Sequence, residues 1–571
     1  MKILGVSTDV AIASACLVEN GKVISAIPEE RMSRKKIDSS YPANAIKRIL
    51  KDNGLSIDDI DQVVIPWNPK THLNYASNRF INSNKWRGEM IASTLGNHIN
   101  NFDLQSESEL SCSFDDVKIT FINHHDAHFA NAYYLSDFKD AIILTIDGKG
   151  ENDSTIIQYI KDGSRRVVSE ISYPHSLGMF YAAFTNFLGF TPEVDEWKVM
   201  AIGAINKEKK LENPYIDKIK NIINLTKNGY ELDLKFFDFY HFDKKQYFFN
   251  EKLEELLGMK RLSKEPLSDE HVLIAEAVQY AVETTIDHLI EIGHKESGLN
   301  KLCLSGGVAM NSLYNGKIVS RHDFIDDVFI SSCPDDSGVS VGAALFKYYE
   351  DKDIANIVRD RQVDNNWGTE YSNQEIRSLL DSYKVKYTYM EDDQLYEKVA
   401  HLLKDEKLIG WFQGKMEFGQ RALGNRSIIA TPSGKSIKGL INNAVKFRES
   451  FRPFAPAILE EYAKDYFEFP DDSPVYFMEK VYKFKEKYRK KFPAIVHYDG
   501  TGRLQCVNKE INPRFYKLIE SFNELTGTPI IVNTSFNLNG EPVVESPIDA
   551  IKTFNVCGLD YLVLGNYVIS K

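Results

Sequence analysis

Strand-sized apolar runs alternating with helical patterns constrain this chain more than any other feature it has. The runs Ile3–Ser7, Ala15–Val18 and Val23–Ile27 come first, with Glu19-Asn20-Gly21 between the second and third. Asn-Gly between apolar runs is a strong hairpin signal, because both residues tolerate the positive φ of a tight turn. Further runs lie at Gln62–Ile65, Val117–Ile122, Ala141–Ile146, Lys301–Leu304 and Val328–Ile330, and helical patterns include Pro42–Lys51 and His271–Ile292. An opening hairpin followed by strands alternating with helices predicts an α/β domain over residues 1–350. Residues 207–267, rich in Lys, Asn, Phe and Tyr, break that rhythm and read as an insertion or helical lid. The polar stretch 351–375 reads as a linker. A second α/β unit, 376–571, follows, with a helix at Asp392–Leu403 and strands at Leu408–Phe412, Ile530–Val532 and Tyr561–Leu564.

Composition narrows the class of partner. A chain of 571 residues with 43% hydrophobic and 26% charged residues is globular and long enough for several cores. Its formal charge of −12 argues against a nucleic-acid polymer as main partner, since such surfaces need a basic footprint. No run approaches the roughly 20 consecutive apolar residues of a membrane helix. The opening MKILGVS enters a strand directly, so neither export nor a membrane is expected and the location reads as cytoplasmic. Six cysteines without a CxxC pair suit buried thiols in a reducing compartment.

The chemistry-bearing residues form two groups. In INHHDAHFANAYY, His124 and His128 are spaced i,i+4, which puts both rings on one face of a helix and allows them to share a divalent metal. Asp147 ends an apolar strand in LTIDGKG, where an open α/β sheet usually places its chemistry. Asp336, in CPDDSGVSVG, stands between another strand and a helix start. Two histidines with one or two carboxylates suit Fe(II), Mn(II) or Zn(II). LSGGVAMN joins a strand to a helix through Gly306-Gly307 and ends at Asn311, a candidate nucleotide turn whose alternative is an ordinary tight turn.

The second group is cationic. GKMEFGQRALGNRSIIA, INNAVKFRESFRPFAP and HYDGTGRLQ carry Arg421, Arg426, Lys446, Arg448 and Arg503, an unusual set in an acidic protein. Arginine forks and a mobile lysine suit phosphate oxygens, and Ser535 and Asn537 of NTSFNLNGEP add polar partners. The alternative is a set of solvated salt bridges.

These marks, together with PHSLGMFYAAFTNFLGF, occur in one order along nearly the whole chain. In that order the chain resembles the O-carbamoyltransferases of antibiotic and nodulation-factor biosynthesis. The resemblance implies an N-terminal domain of the actin-like ATPase superfold, similar to the tRNA threonylcarbamoyl-transfer domain. It also implies a C-terminal YrdC-like domain that forms carbamoyl adenylate from ATP and carbamoyl phosphate. His124, His128 and Asp336 match the family's metal ligands, and Asp147 stands where a further carboxylate is expected. Lys446 and Arg448 match its KxR element, and Ser535 and Asn537 its SxN element. Fe2+ leads the candidate metals, and Mg2+ would accompany ATP. The expected acceptor is a hydroxyl of a small natural product or nucleoside, and a homodimer is compatible.

One departure concerns the family's His-Asp pair after the first strand. GVSTDVAIASA puts Ala11 and Ile12 there, or in a shifted alignment keeps only Asp9. The candidates for proton handling are then Asp9, Asp147 and His125, although His125 on a helix points about 100° away from His124. The competing functions are a metal-dependent hydrolase of the same fold, a fused tRNA threonylcarbamoyl transferase and a non-catalytic nucleotide-binding scaffold.

Overall fold

The computed structural model describes residues 1–8, 11–74, 118–241, 247–434, 437–446, 454–470 and 473–571. Strands β1 (Lys2–Ser7), β2 (Ser14–Glu19) and β3 (Lys22–Pro28) form the expected antiparallel start. Asn20 and Gly21 turn between β2 and β3 with φ of 51° and 82°, the positive values that their pairing suggests. Strands β4 (Gln62–Ile65) and β5 (Lys118–Phe121) add in parallel beside β1, so the sheet order is β3-β2-β1-β4-β5.

A second sheet repeats the scheme. Strands β6 (Ala141–Ile146), β7 (Asp153–Lys161) and β8 (Ser164–Ser172) are antiparallel neighbours. A separate small hairpin, β9 (Ile223–Thr226) and β10 (Gly229–Leu232), lies in the expected insertion. Strands β11 (Lys301–Ser305) and β12 (Asp327–Ile330) then join β6 in parallel, giving β12-β11-β6-β7-β8. Three antiparallel strands followed by two parallel additions beside the first, made twice, is the actin-like architecture. Strand β6 is buried at every residue, which is why AIILTI reads as a continuous apolar run rather than an alternating one.

Two helices fix what His124, His128 and the approach to Asp336 stand on. The His124–Tyr133 helix packs along the Val339–Tyr349 helix, and the latter also packs on β1. The close approach depends on missing side chains. A Cβ on Gly342 would lie 1.9 Å from the Ala127 carbonyl oxygen, and one on Gly5 would lie 1.9 Å from that of Ser340.

The chain forms two compact units. The first comprises residues 1–29, 39–314 and 318–362, and the second 30–38, 315–317 and 363–571. Two short segments from before residue 350 thus belong to the second unit, a division that a single boundary near residue 350 does not anticipate. The polar stretch 351–375 is not a free tether either. Arg359 donates to the carbonyls of Tyr133 and Phe138, Arg361 pairs with Asp327, and Gln362 bonds Ser332, all within the first unit. From Asn365, which donates to the Phe418 carbonyl, the chain is held in the second.

The second unit is built on an eight-stranded mixed sheet whose centre is Tyr561–Leu564, Ile409–Phe412, Arg426–Ala430 and Ile530–Ser535. The Asp392–Lys404 and Pro513–Thr526 helices cover one face through Leu395, Val399, Phe515 and Leu518. Among the described residues no helix is long and apolar enough to cross a membrane.

Substituting Gly342→Ala should cost about 1–3 kcal/mol of stability, the usual range for overpacking. Chemical denaturation would measure this, and an unchanged midpoint would contradict the close helix packing.

Candidate functional site

Four side chains converge at the ends of β6, β11 and β12. His124 Nε2 and His128 Nε2 face each other at 3.0 Å. Asp147 Oδ2 lies 3.3 Å from His124 Nε2 and 3.7 Å from His128 Nε2, and Asp336 Oδ1 lies 3.4 and 3.5 Å from the same atoms. All four donor atoms fall within 4.8 Å of one another. Neighbouring donors on one metal with bonds of about 2.1 Å are separated by roughly 3.0–3.4 Å, so the cluster has the size of a coordination shell.

The surroundings fit a cation as well. The Ser305 hydroxyl donates to the Pro334 carbonyl at 3.2 Å and therefore accepts from His128 Nδ1–H at 3.3 Å. That bond leaves the Nε2 lone pair of His128 turned inward, as a ligating imidazole requires. Asp336 Oδ1 is buried and accepts no hydrogen bond among the described residues. Two imidazole nitrogens and two carboxylates in a buried site are a donor set for a divalent ion.

Burial alone would push His124 and His128 down, but the carboxylates of Asp147 and Asp336 outweigh it and raise both. Burial pushes Asp147 up in turn, and the two histidines more than offset this, holding it well below the usual carboxylate range.

His125 takes no part in this centre. Its Nε2–H donates to the Asp153 carbonyl at 2.9 Å, and its Nδ1 pairs with the Thr145 hydroxyl at 3.0 Å. Burial lowers its pKa to about 3. With both ring nitrogens engaged, His125 is a fixed neutral brace and not the proton acceptor named among the candidates. Glu151, by contrast, is a residue the sequence reading passes over. It accepts the His124 backbone N–H at 3.0 and 3.1 Å and that of Asn68 at 2.7 Å, placing a carboxyl at the start of the ligand helix. Burial pushes it up to about 7. The signal was an acid four residues after Asp147 in DGKGE.

The Gly306-Gly307 turn also differs from expectation. Gly306 has φ of 91°, and a Cβ there would meet the Ile146 carbonyl oxygen at 2.1 Å, so only glycine fits. Its N–H donates to the Pro334 carbonyl, and the Gly307 N–H donates to Asp147 Oδ1 at 2.7 Å. Both glycine amides are used inside the protein, and a short turn, Gly307–Met310, stands where a helix start was expected to offer N–H groups to a phosphate. Asn311 forms a reciprocal amide pair with Gln279, 3.1 Å in each direction. Gln279 also donates to Glu283 and accepts from the Tyr181 hydroxyl, so its orientation, and with it that of Asn311, is set.

In the second unit Arg421 stands on a loop tied by Glu417, whose Oε1 accepts the backbone N–H groups of Leu423, Asn425 and Arg426. Asn533 and Gln505 donate to the Ala422 and Leu423 carbonyls and bond each other. Ser535 lies opposite Ser427 in the sheet, and its hydroxyl donates to Asn537 Oδ1 at 2.8 Å. Asn537 closes its turn by donating to the Glu541 carbonyl. Arg503 ends the short strand Thr501–Arg503.

Arg426 is not a phosphate ligand. Fully buried, it donates to the carbonyls of Gln413, Gly414, Asn425, Thr369 and Glu545 and lies 3.6 Å from the Phe412 ring centre. Its donors are spent on the main chain, and burial lowers its pKa to about 10. Arg448, the Lys446 side chain and Asp9 lie outside the described residues. Where the family's His-Asp pair is expected, Ala11 is exposed and Ile12 buried, and neither can take a proton.

Comparison with known proteins decides the family. The description "Carbamoyltransferase N-terminus" matches residues 2–345, and "Carbamoyltransferase C-terminus" matches 400–571. The chain belongs to the carbamoyltransferase family. It is similar to the nodulation protein NolNO of Sinorhizobium fredii, 33% identical with 98% of this chain and 78% of that protein covered. An uncharacterized protein of Synechocystis sp., sll1178, is 34% identical over 100% of this chain and 96% of its own length. The solved HypF structure from T. kodakarensis aligns with a TM-score of 0.31 at 16% identity, over 61% of this chain and 48% of that one. Membership makes this chain an enzyme of carbamoyl transfer that uses ATP and carbamoyl phosphate and carbamoylates a hydroxyl of a small molecule or nucleoside.

Metal affinity in this carbamoyltransferase should rise with pH through the neutral range. Because His124 and His128 are raised, protons compete with the metal up to higher pH than for ordinary histidine, and the competition ends above that raised value. Chelator competition at several pH values would measure it. A flat profile, or retention of the metal by Asp147→Asn, would contradict the ligand set.

Proposed function

We propose that the two units divide the reaction into activation and transfer. In the second unit, read as YrdC-like, carbamoyl phosphate loses its phosphate to water and the resulting carbamate attacks the α-phosphorus of ATP. Carbamoyl adenylate forms and pyrophosphate leaves. Arg421, Arg503, Lys446 and Arg448 would neutralise the phosphates as charge builds on the leaving group, with Ser535 and Asn537 fixing its oxygens. Mg2+ would travel with the ATP. The first unit then carries out attack by the acceptor hydroxyl on the carbamoyl carbon, with departure of AMP.

The single observation carrying this reading is the convergence of His124, His128, Asp147 and Asp336 on one point of a chain matched at both ends by carbamoyltransferase descriptions. When bound there, a divalent ion, Fe2+ foremost and Mn2+ or Zn2+ next, supplies Lewis-acid polarisation of a phosphoryl or carbamoyl oxygen. Gln279 holds the Asn311 amide ready to donate its remaining hydrogen to the adenylate. With His125 engaged and Asp147 committed to the metal and to Gly307, Asp9 is the proton acceptor we assign. The acidic chain favours a small acceptor over a nucleic-acid polymer.

Metal-loaded protein incubated with ATP, carbamoyl phosphate and a panel of hydroxylated acceptors should yield AMP, pyrophosphate and a product heavier by one carbamoyl group replacing a hydroxyl hydrogen. Mass spectrometry reads all three. AMP and pyrophosphate without that product, for every acceptor, would favour the hydrolase reading. Asp9→Asn should lower kcat of transfer by about 10²–10⁴-fold while metal content and ATP–pyrophosphate exchange stay unchanged.

A further inference from the structure

Residues 30–38 belong to the second unit although they are encoded at the start of the chain. The segment closes on itself around Glu30, which is buried and accepts from Lys36 Nζ at 3.0 and 3.1 Å and from the Ile37 N–H at 2.9 Å. Arg34 and Ile37 hold positive φ of 61° and 56°, so the loop is tightly turned at two non-glycine residues.

What this loop presents is a pair of guanidinium groups, each bonded to the main chain of a different loop. Arg31, almost fully buried, donates to the Gly419 carbonyl at 2.8 Å, two residues before Arg421. Arg34 donates to the Val543 carbonyl at 2.6 Å and the Pro542 carbonyl at 3.0 Å, and its Nε lies 3.7 Å from Asp549. Pro542 and Val543 end the turn that Asn537 closes at its other side through the Glu541 carbonyl. Within that turn the Val544 N–H returns to the Phe536 carbonyl, so a pull at residues 542–543 reaches residues 535–537 over one short hydrogen-bonded span.

We infer that Arg31 and Arg34 are positioning residues of the activation site: they hold the loop that carries Arg421 and the turn that carries Ser535 and Asn537 at the spacing that ATP requires. The inference rests on the reading of those residues as nucleotide-holding. A guanidinium suits the task because irregular loops leave carbonyls that no sheet partner answers, and a rigid planar fork fixes the spacing and direction of two of them, which the rotatable ammonium of a lysine does not.

The test uses the full-length, metal-loaded protein and carbamoyl phosphate-dependent ATP–pyrophosphate exchange. Arg34→Ala should raise KM for ATP by about tenfold, the scale of one lost charge-assisted hydrogen bond, while bound metal in the first unit is unchanged. Arg34→Lys, which keeps the charge but not the fork, should restore the thermal midpoint and leave KM elevated. Combined with Asn537→Ala, the Arg34→Ala change should add nothing further, because both act through the same turn. A wild-type KM in Arg34→Lys and Arg34→Ala, or effects that multiply in the double variant, would overturn the inference. If Arg34→Ala fails to fold, Arg34→Lys carries the same decision alone. Unchanged exchange in Asn537→Ala would instead overturn the nucleotide-holding reading itself, so the two failures are told apart.

Discussion

The carboxylate of Asp147 uses its two oxygens in different directions, and the first unit's site is built around that division. One oxygen meets both imidazoles, and the other takes the Gly307 amide from the turn after the neighbouring strand. A buried carboxylate is costly unless its oxygens are answered, and here the answers come from a helix, a turn after β11 and the cation the cluster suits. Strands β6 and β11 must therefore be parallel neighbours in their observed register, Thr145 beside Ser305, for the turn to reach Asp147. The Ser176 hydroxyl secures the same point from behind by donating to the Asp147 and Gly148 carbonyls. Chemistry collects at the ends of these strands because that is where their successive turns meet.

Much of this was legible in the residues. Gln62–Ile65 and Ala141–Ile146 are strands to the residue, since continuous apolar runs bounded by polar turns leave little choice. That His124, His128, Asp147 and Asp336 would stand together was legible because the two histidines share a helix face and the two aspartates each follow a strand. Strands β7 and β8 have no counterpart in the sequence reading, although Asp162-Gly163 turns between them with φ of 53° and 73°. Strand β8 lies at the sheet edge, and its residues are largely exposed or half-buried, so SRRVVSEIS shows no clean alternation. Spacing alone was silent on which hydrogen bonds a polar group would find. That is why His125, Gly307 and Arg426 looked available and proved engaged.

Arginine explains much of that silence. Arg426, Arg359, Arg261 and Arg34 each answer two or more main-chain carbonyls in irregular segments. A motif arginine beside glycines is compatible with phosphate binding and with loop framing alike. For Arg426 burial decides between the two, since an anion must reach the guanidinium and carbonyls already surround it. Arg421 is half-exposed on a loop framed by Glu417, Asn533 and Gln505, whereas Arg426 is fully buried.

The loop of residues 30–38 also bears on how the protein is made. Arg34 precedes its partner Val543 by 509 residues, so at roughly 5–20 residues per second the ribosome emits the loop about 25–100 s before the turn it binds exists. During that interval a segment rich in cations lacks its carbonyl partners. The second unit is completed only when two segments more than 500 residues apart in the chain meet. That step waits on the closure of a very long loop, an entropic cost and a high contact order that slow it.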